Sequence, residues 1–136
     1  MRSVLPPELR VLVVDDERGS LAALAAVISL EHKTMATVSA KEALDILGKF
    51  QPHVLCTDFS MSEMDGLDLL AHAKARLPSL QGVIVTGYHD YLDTIRSRSR
   101  DMIVVFKPYQ PKALLSAISS AGQMCTLASP MKAVAR

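Results

Sequence analysis

The sequence predicts an α/β protein built as a doubly wound, mostly parallel sheet in a three-layer sandwich. Three observations carry that expectation. Five short apolar runs rich in β-branched residues recur along the chain, several of them continuously hydrophobic, as strands covered on both faces read. Helical periodicity fills the gaps between them, and polar residues close all but one of the runs.

The first strand is RVLVVDD, Arg10 to Asp16, and Leu21, Leu24, Ala25 and Ile28 after it fall on one helical face. TMATV, Thr34 to Val38, follows. Ser39 and Glu42 form a capping-box pattern that opens a helix through Ala43, Leu44 and Leu47. HVLCTD, His53 to Asp58, is the third strand, and Leu67, Leu70 and Ala71 mark a helix that ends near Pro78. GVIVTG, Gly82 to Gly87, leads to a weaker helix over Tyr91 to Arg98, in which Leu92 and Ile95 lie three apart. The last strand is MIVVFKP, Met102 to Pro108. Pro111 suits the first turn of a helix carrying Leu114, Leu115, Ile118 and Ala121, with Gly122 as its stop. Strands alternating with helices require right-handed βαβ crossovers.

A length of 136 residues predicts one domain. Residues 10–122 form it, residues 1–9 are an N-terminal extension, and residues 123–136 are a tail that either extends the last helix or is disordered. Apolar residues at 49% and charged residues at 21% fit a globular chain and exclude a disordered or membrane-spanning one. The net charge of +1 gives no general attraction to nucleic acid or anionic lipid, so neither is an expected partner. MRSVLPPELR lacks the apolar core of a secretion signal, which places the protein in the cytoplasm, and Cys56 and Cys125 read as free thiols of a reducing compartment. His32, His53, His72 and His89 show no ligand-type spacing and read as surface or core histidines. Met61, Met64 and Met102 read as packing, and Arg96, Arg98 and Arg100 as a solvated basic face.

In a parallel sheet all strand C-termini share one rim, where ligand sites form. Asp15 and Asp16 end the first strand, Asp58 the third, Thr86 the fourth and Lys107 the fifth. With the flavodoxin-like strand order 2-1-3-4-5, the first and third strands adjoin where the winding reverses. Three carboxylates then meet, and a pair about 5 Å apart repels by roughly 3 kcal/mol at an effective dielectric near 20. A hard divalent ion relieves this, and Mg²⁺, for which Mn²⁺ can substitute, keeps positions open for phosphate oxygens. Lys107 and Thr86 are groups that hold a phosphoryl oxygen.

The acidic pair in VVDDE, the lone Asp58 followed three residues later by Met61 and then by MDG, Thr86-Gly87 and Lys107-Pro108 together resemble the receiver domain of bacterial response regulators, CheY-like in fold. The match covers about Arg10 to Ala121. The resemblance implies a single-domain phosphorelay protein of a two-component system rather than an enzyme. It takes a phosphoryl group from a histidine kinase or histidine phosphotransfer protein onto Asp58 and slowly hydrolyses it. It further implies Asp15, Asp16, Asp58 and the backbone carbonyl of Ser60 as metal ligands, with Asp15 acting largely through water. Thr86 and Lys107 grip the phosphoryl oxygens, and Ser60 and Tyr88 tune its lifetime. Output then passes through the face of the fourth helix, fifth strand and fifth helix to a protein partner. In the family the bond preceding that proline is often cis.

Two departures stand out. Val104 occupies the switch position where relatives carry Tyr or Phe, which motivates the alternative of a receiver-like interaction module with weak or absent switching. Phe106, one pleat along, reads as core. Ser62 stands where a proline is common, loosening the loop after Asp58, and Gly66 permits the tight start of the third helix.

Overall fold

A computed structural model describes residues 8–127. The sheet and helices run β1 (Arg10–Val14), α1 (Arg18–Ile28), β2 (Lys33–Thr37), α2 (Ala40–Phe50), β3 (Val54–Asp58), α3 (Gly66–Arg76), β4 (Gln81–Thr86), α4 (Tyr91–Arg98), β5 (Ile103–Phe106) and α5 (Pro111–Leu127). The sheet has the predicted order β2-β1-β3-β4-β5, with every neighbouring pair parallel. Residues 1–7 of the expected extension and 128–136 of the expected tail lie outside the described residues.

The unbroken hydrophobicity of the central strands now has its cause, because alternate residues feed two cores. Val11, Val13, Val54, Cys56, Val83 and Val85 face Leu24 and Ile28 of α1 and Leu114 and Ile118 of α5. Leu12, Val14 and Leu55 face Ala43, Leu47 and Phe50 of α2 and Leu69, Leu70 and Ala73 of α3. Met61, Met64 and Met102 pack against this second core, as the sequence predicts. Full burial of each such aliphatic side chain contributes about 1.5–3 kcal/mol. Ile84 belongs to a smaller cluster with Phe59, Leu67 and Ile95, against which Tyr91 and Val104 pack.

The ends of the elements show local chemistry the pattern only partly captured. Ser39 Oγ accepts from the Glu42 amide at 3.1 Å, one arm of the capping box. The other arm is replaced: the Ser39 amide donates to Thr37 Oγ1 at 3.1 Å, and the Glu42 carboxylate accepts from the Thr37 hydroxyl instead. Gly122 does not stop α5, which runs to Leu127. Its missing side chain makes room for Leu9, whose methyl groups occupy the space a Cβ would need. Leu9 is thereby buried in the α1/α5 core although the sequence assigns it to the extension.

Phe106 also departs from expectation. It is only half-buried and stacks on His89, ring centroids 4.0 Å apart, rather than entering the core.

Candidate functional site

The C-terminal ends of β1, β3, β4 and β5 bring Asp15, Asp16, Asp58, Thr86 and Lys107 to one rim, as the strand order requires. Asp15, Asp16 and Asp58 each place one carboxylate oxygen within 4.8 Å of the others. That spacing and an all-oxygen donor set suit a hard divalent cation.

The three acids differ in surroundings. Asp15 is fully buried, and three donors reach its two oxygens: Oδ1 takes the Glu17 amide at 3.0 Å, and Oδ2 takes the Ser20 hydroxyl at 2.5 Å and the Lys107 ammonium at 3.1 Å. Asp16 is exposed, and its Oδ2 accepts from the Ser62 amide at 2.9 Å. Asp58 has its nearest cation, Lys107 Nζ, at 3.7 Å from Oδ1, too far for a good hydrogen bond. Burial pushes its carboxyl up to about 6; Lys107 opposes the rise, and Asp15 and then Asp16 add to it. Asp58 is thus a largely buried acid beside a cation that it does not hydrogen-bond, with 15% of its side-chain surface open.

The remaining predicted residues fall around it. Thr86 is buried, and its Oγ1 accepts from the Tyr88 amide at 3.2 Å. The Lys107 amide donates to Thr86 O at 2.9 Å, and the Lys107–Pro108 bond is cis. Ser60 is exposed in the loop after β3. Tyr88 is 65% exposed, its ring edge-on to Tyr91, which in turn lies 4.9 Å from Phe59. Val104 pairs with Ile84 across β4 and β5 and packs beneath α4.

Gly66 is required for a reason other than torsional freedom. Its φ is not positive, but a Cβ there would stand 2.5 Å from the carbonyl oxygen of Asp58, because the Gly66 amide donates to Phe59 O at 2.7 Å and draws α3 onto the strand end. The Asp65 carboxylate caps that helix by accepting from the Asp68 amide at 2.8 Å.

The loop between β3 and α3 is held rather than loose. A proline at position 62 would lack the amide that binds Asp16, so serine there adds a tether to the acidic cluster. Glu63 Oε1 accepts from the Ala40 amide at 2.6 Å and from Ser39 Oγ at 3.3 Å, docking the loop on the start of α2. The basic face is also partly committed. Arg98 forks to Asp65 at 2.7 Å and Asp68 at 2.8 Å, tying α4 to α3, and Arg96 donates to Met102 O at 2.5 Å.

Sequence reasoning missed Ser20, Glu63 and the Ser62 amide. Ser20 left one signal, a hydroxyl in the first turn of a helix whose remaining eight residues, Leu21 to Ile28, are all alanine, leucine, valine and isoleucine. The amide's signal is only that residue 62 is not proline.

Among the described residues, no helix is long and apolar enough to cross a membrane. Residues 11–119 match the response regulator receiver domain family. FleR, a response regulator protein of Pseudomonas aeruginosa, is 31% identical over 114 residues, 81% of this chain and 24% of that protein. The chain spans about a quarter of the length of such regulators. It covers 99% of the Listeria monocytogenes chemotaxis protein CheY, at 26% identity over 85% of its own length. A receiver-domain structure from Clostridium thermocellum superposes with a TM-score of 0.77 at 25% identity, covering 88% of this chain and 98% of that one. The chain belongs to the response regulator receiver domain family and is a receiver of two-component signalling.

Proposed function

We propose that Asp58 accepts a phosphoryl group from the phosphohistidine of a histidine kinase or a histidine phosphotransfer protein. The observation that carries this is the setting of Asp58: it is close to a cation without a hydrogen bond to it, partly open, and raised to about 6, whereas Asp15 hydrogen-bonds that cation and Asp16 is exposed. A carboxylate oxygen of Asp58 attacks phosphorus, the P–N bond breaks, and the departing imidazole nitrogen keeps the electron pair and takes up a proton. At neutral pH Asp58 is chiefly the anion that this attack needs.

Asp15, Asp16, Asp58 and the Ser60 carbonyl would hold Mg²⁺, with Mn²⁺ able to replace it. Bound there, the ion neutralises charge on the phosphoryl oxygens and the attacking carboxylate. Lys107 supplies a second positive group and Thr86 a hydroxyl donor, while Ser60 and Tyr88 border the approach of water and set how long the acyl phosphate lasts. The protein then acts as a cytoplasmic phosphorelay switch through contacts of α4, β5 and α5 with a downstream protein.

The test is incubation with acetyl phosphate and Mg²⁺, followed by mapping of the phosphoryl group by mass spectrometry. One label per chain on Asp58, abolished in Asp58→Asn and by chelation of Mg²⁺, is the expected result. A label on another side chain, or none, refutes the reading.

A further inference from the structure

We propose that Ser20 is a positioning residue that releases Lys107 from Asp15 to a phosphoryl group on Asp58, an inference resting on Asp58 as the acceptor. Lys107 Nζ sits 3.1 Å from Asp15 Oδ2 but 3.7 Å from Asp58 Oδ1, so in this state the ammonium is held by the wrong acid for catalysis. Asp15 has no exposed surface, and an ionised carboxylate there cannot turn to water when the ammonium leaves.

A second donor on the same oxygen solves that. Ser20 Oγ donates to Asp15 Oδ2 at 2.5 Å while the Glu17 amide keeps Oδ1 at 3.0 Å. Both remain when Lys107 moves, so both carboxylate oxygens stay satisfied. Ser20 is itself fixed, because its amide donates to Glu17 Oε1 at 2.5 Å in the cap of α1. The hydroxyl is uncharged, so it supports Asp15 without repelling a cation in the cluster.

With Ser20→Ala, Lys107 becomes the sole side-chain donor to Asp15, and its departure would leave Oδ2 with no hydrogen-bond donor from the protein. The ammonium then stays on Asp15. Four forms of the full chain decide the matter: Ser20→Ala, Ser20→Thr, Lys107→Met and the Ser20→Ala/Lys107→Met double variant, each labelled by acetyl phosphate at saturating Mg²⁺. Ser20→Ala should slow labelling about tenfold, Ser20→Thr less than about twofold, and Ser20→Ala should add less than about twofold to the loss in Lys107→Met. In metal-free, unphosphorylated protein the NMR order parameter of the Lys107 ammonium should rise in Ser20→Ala and not in Ser20→Thr.

A tenfold loss that persists in the Lys107→Met background overturns the proposal, as does a Ser20→Ala protein with unchanged rate and order parameter. A wild-type chain that takes no label while the order parameter still rises refutes the acceptor reading alone and upholds the Ser20–Lys107 coupling.

Discussion

The two rims of the sheet handle buried polarity in opposite ways. At the C-terminal rim Asp15 and Asp58 share one ammonium beside a third carboxylate, Asp16, and Asp58 is left at about 6. At the N-terminal rim His32 Nδ1 accepts from the Leu9 amide at 3.1 Å and His53 Nδ1 from the Arg10 amide at 2.9 Å. Each imidazole completes the hydrogen bonding of the backbone where β1 begins, and each does so only when neutral. One rim leaves a carboxylate short of a hydrogen-bonded cation; at the other, two neutral imidazoles serve the backbone. Chemistry concentrates where the fold leaves electrostatic work for a ligand.

The comparison makes opposite pH slopes the signature of the two rims. Asp58 has a folded pKa above its ordinary 3.8, so its contribution to stability is present below 3.8 and is lost as pH rises through about 6. Discounted for the solvent that reaches this partly buried group, the gap corresponds to about 1–2 kcal/mol at pH 7 without metal. Asp58→Asn should recover most of it in urea denaturation, remove the decline between pH 4 and 6, and lose its advantage when Mg²⁺ is added. A variant no more stable than wild type at pH 7 without metal would show that the rim carries no such tension.

The N-terminal rim should run the other way. Burial lowers the His32 pKa below its ordinary 6.5 against the opposing pull of Glu31 and Glu8, so its contribution is present above 6.5 and is lost as pH falls below that value. His32→Leu leaves the Leu9 amide without its acceptor and should cost about 1–3 kcal/mol at pH 7. Labelling of Asp58 should be unchanged, which urea melts and phosphorylation assays on the same sample would report together. Loss of labelling in a folded His32→Leu protein would break the separation of the rims.

The smallest effect sharpens the comparison within the charged rim. Ser62→Pro removes the amide that holds Asp16, whereas Ser62→Ala keeps it. The proline variant should bind Mg²⁺ severalfold more weakly by calorimetry, about 1 kcal/mol, with the alanine variant matching wild type. Equal affinity in both would show the tether to be idle.

Much of this arrangement was legible in the sequence because strand-end residues are fixed by topology alone. Once five apolar runs alternate with helices, the order β2-β1-β3-β4-β5 carries Asp15, Asp58, Thr86 and Lys107 to one rim without any side-chain detail. What escaped depends on contacts that no periodicity encodes. Gly122 has the composition of a helix stop, yet its place opposite Leu9 is a tertiary fact. Glu42 has the spacing of a capping-box partner, yet the Thr37 hydroxyl lies nearer to hand than the Ser39 amide. His32 and His53 have no pattern at all as backbone acceptors, because their partners lie 23 and 43 residues away. Phe106 reads as core by strand alternation, but β5 is the sheet edge, and its ring finds His89 instead.

The seating of α3 on the main chain of Asp58 has a mechanical corollary. With the Asp58 carbonyl 2.5 Å from where a methyl on Gly66 would be, strand end and helix form a single stiff arm with no slack on that side. Bulk added at the Asp58 carboxylate is then taken up across from it, by the exposed segment from Gly87 to Asp90, which meets the sheet through the Tyr88 amide on Thr86 Oγ1 and the His89 stack on Phe106. The stiff side thus chooses the direction in which the molecule gives way.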